Sequence, residues 1–250
     1  MQTQAIEQFH DNGFVVLENS SQEDLSRLRK FIFEKMRCAI RPHDPSVDEV
    51  FEISSLESYH KFSFCVNHEA CWTKDARIFN ASDVDFFINN LGFIDIIQMH
   101  FGDIEIADIE GLGYPEIYWR VVRPGGSDVA PAHKDSWFWE LTNNIPVPSQ
   151  RSLAKVWIPI LSVVGENALQ VAPGSHKVDI QYHGVNRHGR IKPEPDIGAL
   201  LKINFMAPEI PNGSMIIFDR DLLHRGASTS LDKTRYSLEF AIRSKCGRFQ

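Results

Sequence analysis

The second half of the chain consists of short apolar segments separated by turn residues, and this pattern constrains the fold more than any other feature. From Tyr114 onward, β-branched and aromatic segments alternate or run apolar as strands do, with Gly-, Pro- and Asn-containing turns between them. The predicted strands are Ile117–Val122, Ala154–Ile160, Ala168–Ala172, Ser214–Asp219 and Arg235–Ile242. Many short strands with such turns predict a sandwich or barrel, for which a cupin-like jelly roll (a double-stranded β-helix) is a natural closure.

The first half predicts mainly helices. Met1–Asn12 is a short amphipathic helix, Phe14–Leu17 a strand, and Val84–Met99 a buried helix. Ser20 with Glu23 forms a capping box that starts another helix. The apolar stripe of that helix is Leu25, Leu28, Ile32 and Met36. We therefore predict a mainly β (α+β) fold: a single domain over 1–250, with a helical part (1–113) packed on one sheet of a jelly-roll core (114–250).

Composition limits the kinds of partner. The 250-residue chain carries a formal net charge of −7, which argues against binding nucleic-acid phosphates. No apolar run approaches the length of a transmembrane helix, and the polar N-terminus does not resemble a signal peptide. We expect no membrane association, a cytoplasmic location, and free thiols at the four cysteines. The oligomeric state is left open.

A His-x-Asp pair suggests a metal site. His133 and Asp135 are two residues apart, so on a strand both side chains would point to the same face. A second histidine would complete the 2-His-1-carboxylate triad that is typical of non-haem iron(II) oxygenases. Among the downstream histidines, His224 follows an apolar strand and is the best-anchored candidate. A surface cap or turn is the alternative role for His224.

Arg235 stands eleven residues after His224 and opens the last predicted strand. An arginine among inward-facing residues needs an anionic partner, because an unpaired buried charge is costly. A bound carboxylate suits it, since a guanidinium can hold a carboxylate with two hydrogen bonds. Ser237 lies on the same face and could add a hydroxyl donor. An ion pair with Glu239 is the alternative.

These segments together resemble the phytanoyl-CoA dioxygenase-like family of iron(II)- and 2-oxoglutarate-dependent oxygenases. The matching stretches are "FHDNGFVVLENSSQEDLSRLR", "HKD", "VWIPILSVVGENALQVAPGSHK" and "LLHRGASTSLDKTRYSLEFAIR". The resemblance spans nearly the whole chain, and the Pro-Gly-Ser-His segment and the His-to-Arg spacing are its specific parts. Ala168 departs from the glycine that the family often has at this turn.

The resemblance implies roles for individual residues. His133, Asp135 and His224 would bind Fe(II), and Arg235 with Ser237 would hold the distal carboxylate of 2-oxoglutarate. Trp139 would contact the cosubstrate or substrate, and Arg120 the other end of 2-oxoglutarate or the substrate. His176 would be a structural turn residue. With O2 as oxidant, the products from the cosubstrate are succinate and CO2. Because Asp135 is present, the family pattern points to hydroxylation and away from halogenation.

The long polar segment 177–198 is expected to be a lid loop, a binding loop or a disordered stretch. Its charged and histidine residues show a slight basic excess: Lys177, Asp179, His183, Arg187, His188, Arg190, Lys192, Glu194 and Asp196. This favours a small polar or anionic substrate, although a solvated loop would look the same. A cupin-like metal-binding protein without oxygenase activity, or a zinc hydrolase, are the alternative functions.

Overall fold

The computed structural model describes residues 2–19, 21–52, 55–125, 128–142, 152–166, 168–187, 190–227, 231–247 and 249. The helices are α1 (Gln2–Asn12), α2 (Gln22–Ile40), α3 (Val47–Val50), α4 (His68–Cys71), α5 (Ala81–Asn90), α6 (Phe93–Phe101), α7 (Asp135–Thr142) and α8 (Ile197–Leu200). Among the described residues, short 3-10 turns lie at Tyr59–Lys61, Asp75–Arg77 and Ser175–Lys177. None of the described helices is long and apolar enough to cross a bilayer.

The strands are β1 (Phe14–Leu17), β2 (Ile104–Ile106), β3 (Ile117–Val122), β4 (Leu153–Leu161), β5 (Leu169–Val171), β6 (Tyr182–Arg187), β7 (Arg190–Pro195), β8 (Met215–Asp219), β9 (His224–Gly226) and β10 (Arg235–Ser244). Six of them form an antiparallel major sheet in the order β1-β8-β4-β10-β2, with β3 also paired to β10. A minor sheet joins β5 to β9, and β6 pairs with β7. The predicted mixed fold with a jelly-roll core is confirmed.

The outer face of the major sheet is covered by the N-terminal helices. Apolar residues of α1, α2, α5 and α6 pack against β3, β4 and β10 in one large core. The predicted stripe of α2 is buried, at 0 to 5% exposure. The first part of the chain is not purely helical, because β1 pairs with β8 and β2 pairs with β10. Both strands therefore extend the major sheet.

Two helix predictions need correction. The predicted cap Ser20 lies outside the described residues, and α2 is capped one residue later, where Ser21 Oγ accepts from the amide of Asp24 at 3.1 Å. The single predicted helix Val84–Met99 is wrong: α5 ends at Asn90, and α6 begins after Gly92. The amide of Gly92 donates to Asp24 Oδ2 at 3.1 Å, which fixes the break. Apolar residues continue on both sides of the break, and Gly92 was the sequence signal that weakened the single-helix prediction.

The segment 177–198 is not a structureless loop. Strands β6 and β7 pair in register from Tyr182↔Pro195 to Arg187↔Arg190, and α8 follows. The β6–β7 hairpin packs on α7: Tyr182 stacks on Trp137 with ring centroids 4.5 Å apart, and its hydroxyl donates to Glu140 at 3.0 Å. The sequence hid the hairpin because Gly184, Pro193 and Pro195 are residues that strand interiors disfavour.

Candidate metal centre

Three potential metal ligands meet between the two sheets. One nitrogen or oxygen atom each from His133, Asp135 and His224 lies within 4.8 Å of the others, and all three residues are buried. His224 Nε2 lies 3.8 Å from Asp135 Oδ2. Two ligands that share one ion at about 2.0–2.2 Å from each donor lie roughly 3–4 Å apart. A His-Asp-His triad with metal-binding spacing is therefore present.

The backbone conformation that positions His133 and Asp135 differs from the predicted strand. His133 does not belong to a long strand; it forms an isolated antiparallel bridge with His224, with N–H···O distances of 2.9 and 3.0 Å. Asp135 is the first residue of α7. The two side chains are therefore brought together by a bridge followed by a helix start, and the assumption of a continuous strand was wrong.

Hydrogen bonds to the backbone select the same tautomer in both histidines. His133 Nδ1 donates to the carbonyl of Pro131 at 2.7 Å, and His224 Nδ1 donates to the carbonyl of Leu222 at 3.0 Å. A carbonyl only accepts, so in each ring Nδ1 carries a proton, and the neutral form of the ring then has its lone pair on Nε2. Burial and the neighbouring His224 lower the pKa of His133 to about 4. Near neutral pH the His133 ring is thus in its neutral, ligand form.

Two buried oxygens mark where a ligand is needed. Within the described parts of the chain, neither Asp135 Oδ2 nor Ser237 Oγ has a hydrogen-bond partner. A buried polar atom without a partner is costly, so its persistence calls for an ion or a ligand atom. One anionic oxygen beside two neutral imidazole nitrogens is a donor set suited to Fe(II). The residues present therefore fit a divalent metal ion.

Arg235 lies at the start of β10, on the face of the major sheet that looks toward the triad. It is 6% exposed; its Nη1 donates to the carbonyl of Ala168 at 3.0 Å, and its guanidinium carbon lies 5.9 Å from the centre of the Trp157 ring. Burial lowers the pKa of Arg235 to about 10. Ser237 is the next residue on that face. A desolvated guanidinium beside a buried hydroxyl forms a site for an anion.

The other residues with a predicted role contact protein groups other than the metal ligands. Trp139 is 5% exposed and packs with Ala107, Leu153 and Ala241. Arg120 stands opposite Ser237 and binds Glu239. His176 lies in a 3-10 turn, and its Nε2 donates to the carbonyl of His10 at 3.0 Å.

Phenylalanines lie against both ligand histidines. The Phe138 ring meets the His133 ring edge-on with centroids 4.9 Å apart, and the Phe218 ring lies 4.7 Å from the His224 ring. The sequence favoured Trp139 as the aromatic residue next to a ligand. The helical turn that begins at Asp135 is what directs Phe138 toward His133.

One turn, residues 172–178, supports both ligand segments; we term it the Ser175 turn. Lys134 is buried between the two ligands of the pair, and its Nζ donates to the carbonyls of Ser175 (3.1 Å) and Val178 (2.9 Å). Ser175 Oγ accepts from the amide of Leu223 at 2.8 Å, next to His224. Sequence reasoning missed Lys134, although its place between two ligands was a usable signal.

The sequence of the chain matches the phytanoyl-CoA dioxygenase (PhyH) family over residues 9–236. The chain belongs to this family, which is named for a dioxygenase, and the expected resemblance is confirmed. No curated protein is similar enough in sequence to count as a match.

Solved structures share the fold at low sequence identity. EctD from S. alaskensis, solved with 2-oxoglutarate and 5-hydroxyectoine, is 17% identical, with a TM-score of 0.61 over 100% of this chain and 78% of EctD. The epimerase SnoN, solved with Fe3+, alpha ketoglutarate and nogalamycin RO, is 10% identical, with a TM-score of 0.59 over 97% of this chain and 83% of SnoN. The carbocyclase SnoK from nogalamycin biosynthesis is 12% identical, with a TM-score of 0.56 over 98% and 84%.

Proposed function

We propose that the chain is a non-haem Fe(II)- and 2-oxoglutarate-dependent dioxygenase that hydroxylates a small polar or anionic molecule. The observation that carries the proposal is the buried His-Asp-His triad, with a desolvated arginine and a hydroxyl on the adjacent sheet face. A protein that only binds a metal ion needs no such anion site. The bound Fe and 2-oxoglutarate (alpha ketoglutarate) named for EctD and SnoN agree with this assignment.

Each residue has a defined task in this proposal. His133, Asp135 and His224 would hold Fe(II) through Nε2, a carboxylate oxygen and Nε2, with the imidazole orientations fixed by the backbone carbonyls. Arg235 and Ser237 would hold the distal carboxylate of 2-oxoglutarate. The oxidising chemistry would come from bound Fe(II), O2 and 2-oxoglutarate, with release of succinate and CO2.

The surrounding apolar side chains would keep water away from the reacting centre. Phe138 and Phe218 cover one side of each ligand ring, which keeps the imidazoles out of bulk solvent. Trp139, which is buried on the same helix that begins at Asp135, is proposed to contact the cosubstrate or substrate. No protein side chain has to serve as a general base, because the metal and the cosubstrate carry the oxidation.

Hydroxylation is the finer part of the proposal. SnoN and SnoK are an epimerase and a carbocyclase on the same fold, so the fold does not choose the outcome. The presence of Asp135 supports hydroxylation over halogenation, because a carboxylate at that position occupies the metal site that a halide would otherwise take.

The central experiment is anaerobic addition of Fe(II) and 2-oxoglutarate to the purified protein, followed by admission of O2. We expect the weak visible charge-transfer band of the chelate, and then succinate. His133→Ala should show neither, whereas His183→Ala, which removes an exposed histidine of the β6–β7 hairpin, should match the wild type. Absence of both signals in the wild type would contradict the proposal.

A further inference from the structure

An ion pair lies on the inner face of the major sheet, beside the residues proposed to hold the cosubstrate. Arg120 of β3 is directly opposite Ser237 of β10 in the strand register. Both Nε and Nη2 of Arg120 donate to the same carboxylate oxygen of Glu239, the Nε bond being 2.8 Å long. Glu239 follows Ser237 by two residues and so shares its face. The ion pair therefore belongs to the surface that carries Arg235 and Ser237.

The charges of this pair and of the metal ligands act on one another. Burial disfavours the charged form of Arg120, but Glu239 and, at longer range, Asp135 outweigh it and raise the pKa of Arg120. Burial likewise acts against the Glu239 carboxylate, while Arg120, Lys155 and His133 lower the pKa of Glu239 to about 2. Both groups are ionised at neutral pH. A molecule held by the pair would lie next to the metal centre.

The guanidinium of Arg120 has one edge occupied and one edge available. A guanidinium can grip a carboxylate through its Nε–Nη2 edge or through its Nη1–Nη2 edge. Glu239 takes the first edge, and among the described residues Arg120 makes hydrogen bonds to Glu239 alone. The Arg120 side chain is 41% exposed, compared with 16% for Glu239. The accessible charge of the pair is thus the positive one.

We propose that Arg120, oriented by Glu239, binds an anionic group of the substrate, either a carboxylate or a phosphate monoester. This inference rests on the proposed function and names the chemical class of its substrate. Arg235 is almost fully buried, which suits a cosubstrate enclosed before the substrate arrives. Arg120 is partly buried but more accessible than Arg235, which suits the ligand that changes at each turnover. Glu239 is a positioning residue, because it keeps the Nη1–Nη2 edge directed away from β10.

The test uses protein loaded with Mn(II) and 2-oxoglutarate, so that binding is measured by calorimetry without turnover. The probes are hexanoate, hexyl phosphate, hexanamide and hexylamine, which differ mainly in the head group. We expect the wild type to bind at least one anionic probe roughly ten- to a hundredfold more tightly than hexanamide, as for a charge-assisted hydrogen-bonded pair. The anionic probe that binds more tightly, hexanoate or hexyl phosphate, shows whether the substrate group is a carboxylate or a phosphate.

The variants separate the role of Arg120 of β3 from the roles of neighbouring charged residues of β10. Arg120→Met should lose the preference for anions, and Arg120→Lys should keep part of it. Arg243→Met, which removes a partly exposed arginine of β10 that pairs with Glu105 of β2, should behave as the wild type. Glu239→Ala should weaken hexanoate binding, and Glu239→Gln, which keeps an accepting oxygen, should restore it. Tighter binding in Glu239→Ala would overturn the positioning role.

Two further results would overturn the proposal. One is a wild type with no preference for anionic probes. The other is a loss of 2-oxoglutarate affinity in Arg120→Met as large as that in Arg235→Met, which would make Arg120 a cosubstrate ligand; we expect a change of less than about threefold. Failure of the proposed function looks different, because the wild type would then form no Fe(II)–2-oxoglutarate band at all.

Discussion

The two faces of β10 differ in nearly every respect, although their residues alternate along one strand. Tyr236, Leu238, Phe240 and Ile242 point outward and are 0 to 1% exposed beneath the N-terminal helices. Arg235, Ser237 and Glu239 point inward and present two charges and a hydroxyl to the metal centre. One face stabilises the fold and the other costs stability through desolvated polar groups. Substitutions on the two faces should therefore separate stability from activity.

The largest effect is expected on the outer face. Phe240→Ala removes a ring that packs against Phe87 at 5.6 Å and leaves a cavity in the core, so unfolding free energy should fall by about 3–5 kcal/mol. Chemical denaturation measures the loss. Phe64→Ala, at an 81% exposed phenylalanine, is the matched control and should change stability by less than about 0.5 kcal/mol. Equal losses of unfolding free energy in Phe240→Ala and Phe64→Ala would contradict the assignment of the outer face of β10 to the stabilising core.

On the inner face, Arg235→Met should give the opposite result. The affinity for 2-oxoglutarate should fall roughly a hundredfold, or about 3 kcal/mol, because the proposed charge-assisted contact to the distal carboxylate would be lost. Unfolding free energy of the metal-free protein should change by no more than about 1.5 kcal/mol, because loss of the hydrogen bond to the Ala168 carbonyl opposes the gain from removing a desolvated charge. Titration of the charge-transfer band and denaturation measure the two quantities, with Arg243→Met as control. A loss of stability without a loss of affinity would contradict the assignment.

A smaller effect follows from the depressed pKa of Glu239. Arg120 and Lys155 overcome the effect of burial and lower this pKa to about 2, below the usual carboxyl value. The stabilisation is present above about pH 4.5 and is lost as the pH falls toward 2, because the unfolded chain binds the proton first. Denaturation of the metal-free protein between pH 5 and pH 2 should show a flatter decline in Glu239→Gln. A parallel decline in both proteins would show that the pair contributes nothing.

The smallest effect concerns two buried tyrosines. Tyr236 is fully buried, and its hydroxyl finds no hydrogen-bond partner among the described residues, whereas the Tyr59 hydroxyl bonds to His68 Nδ1 at 2.8 Å. Tyr236→Phe should leave unfolding free energy within about 0.5 kcal/mol or raise it, and Tyr59→Phe should lower it by about 1–3 kcal/mol. Thermal unfolding of the two variants side by side gives the difference. If Tyr236→Phe lowers unfolding free energy as much as Tyr59→Phe does, the Tyr236 hydroxyl contributes to stability, and packing alone does not account for the outer face.

The sequence predicted most of the major sheet because its strands carry a strong apolar signal. All six strand predictions, for β1, β3, β4, β5, β8 and β10, agree with the observed bounds within two residues. The three-residue strand β2 and the β6–β7 hairpin were missed, since neither is long and half-buried. For the site, residue types and spacing identified the triad candidates and Arg235. The bridge that joins His133 to His224, and the pairing of Glu239 with Arg120, depend on contacts between distant segments that periodicity does not encode.

The central position of β10 sets the order in which this protein can assemble. β10 pairs with β4 along one edge and with β3 and then β2 along the other, yet it is the last of the described strands. During synthesis, β2 and β3 leave the ribosome more than a hundred residues before the strand that both of them need. Such long-range pairing is slow and leaves apolar strands exposed in the meantime. Strands β2 and β3 therefore stay without their β10 partner until that strand has been synthesised.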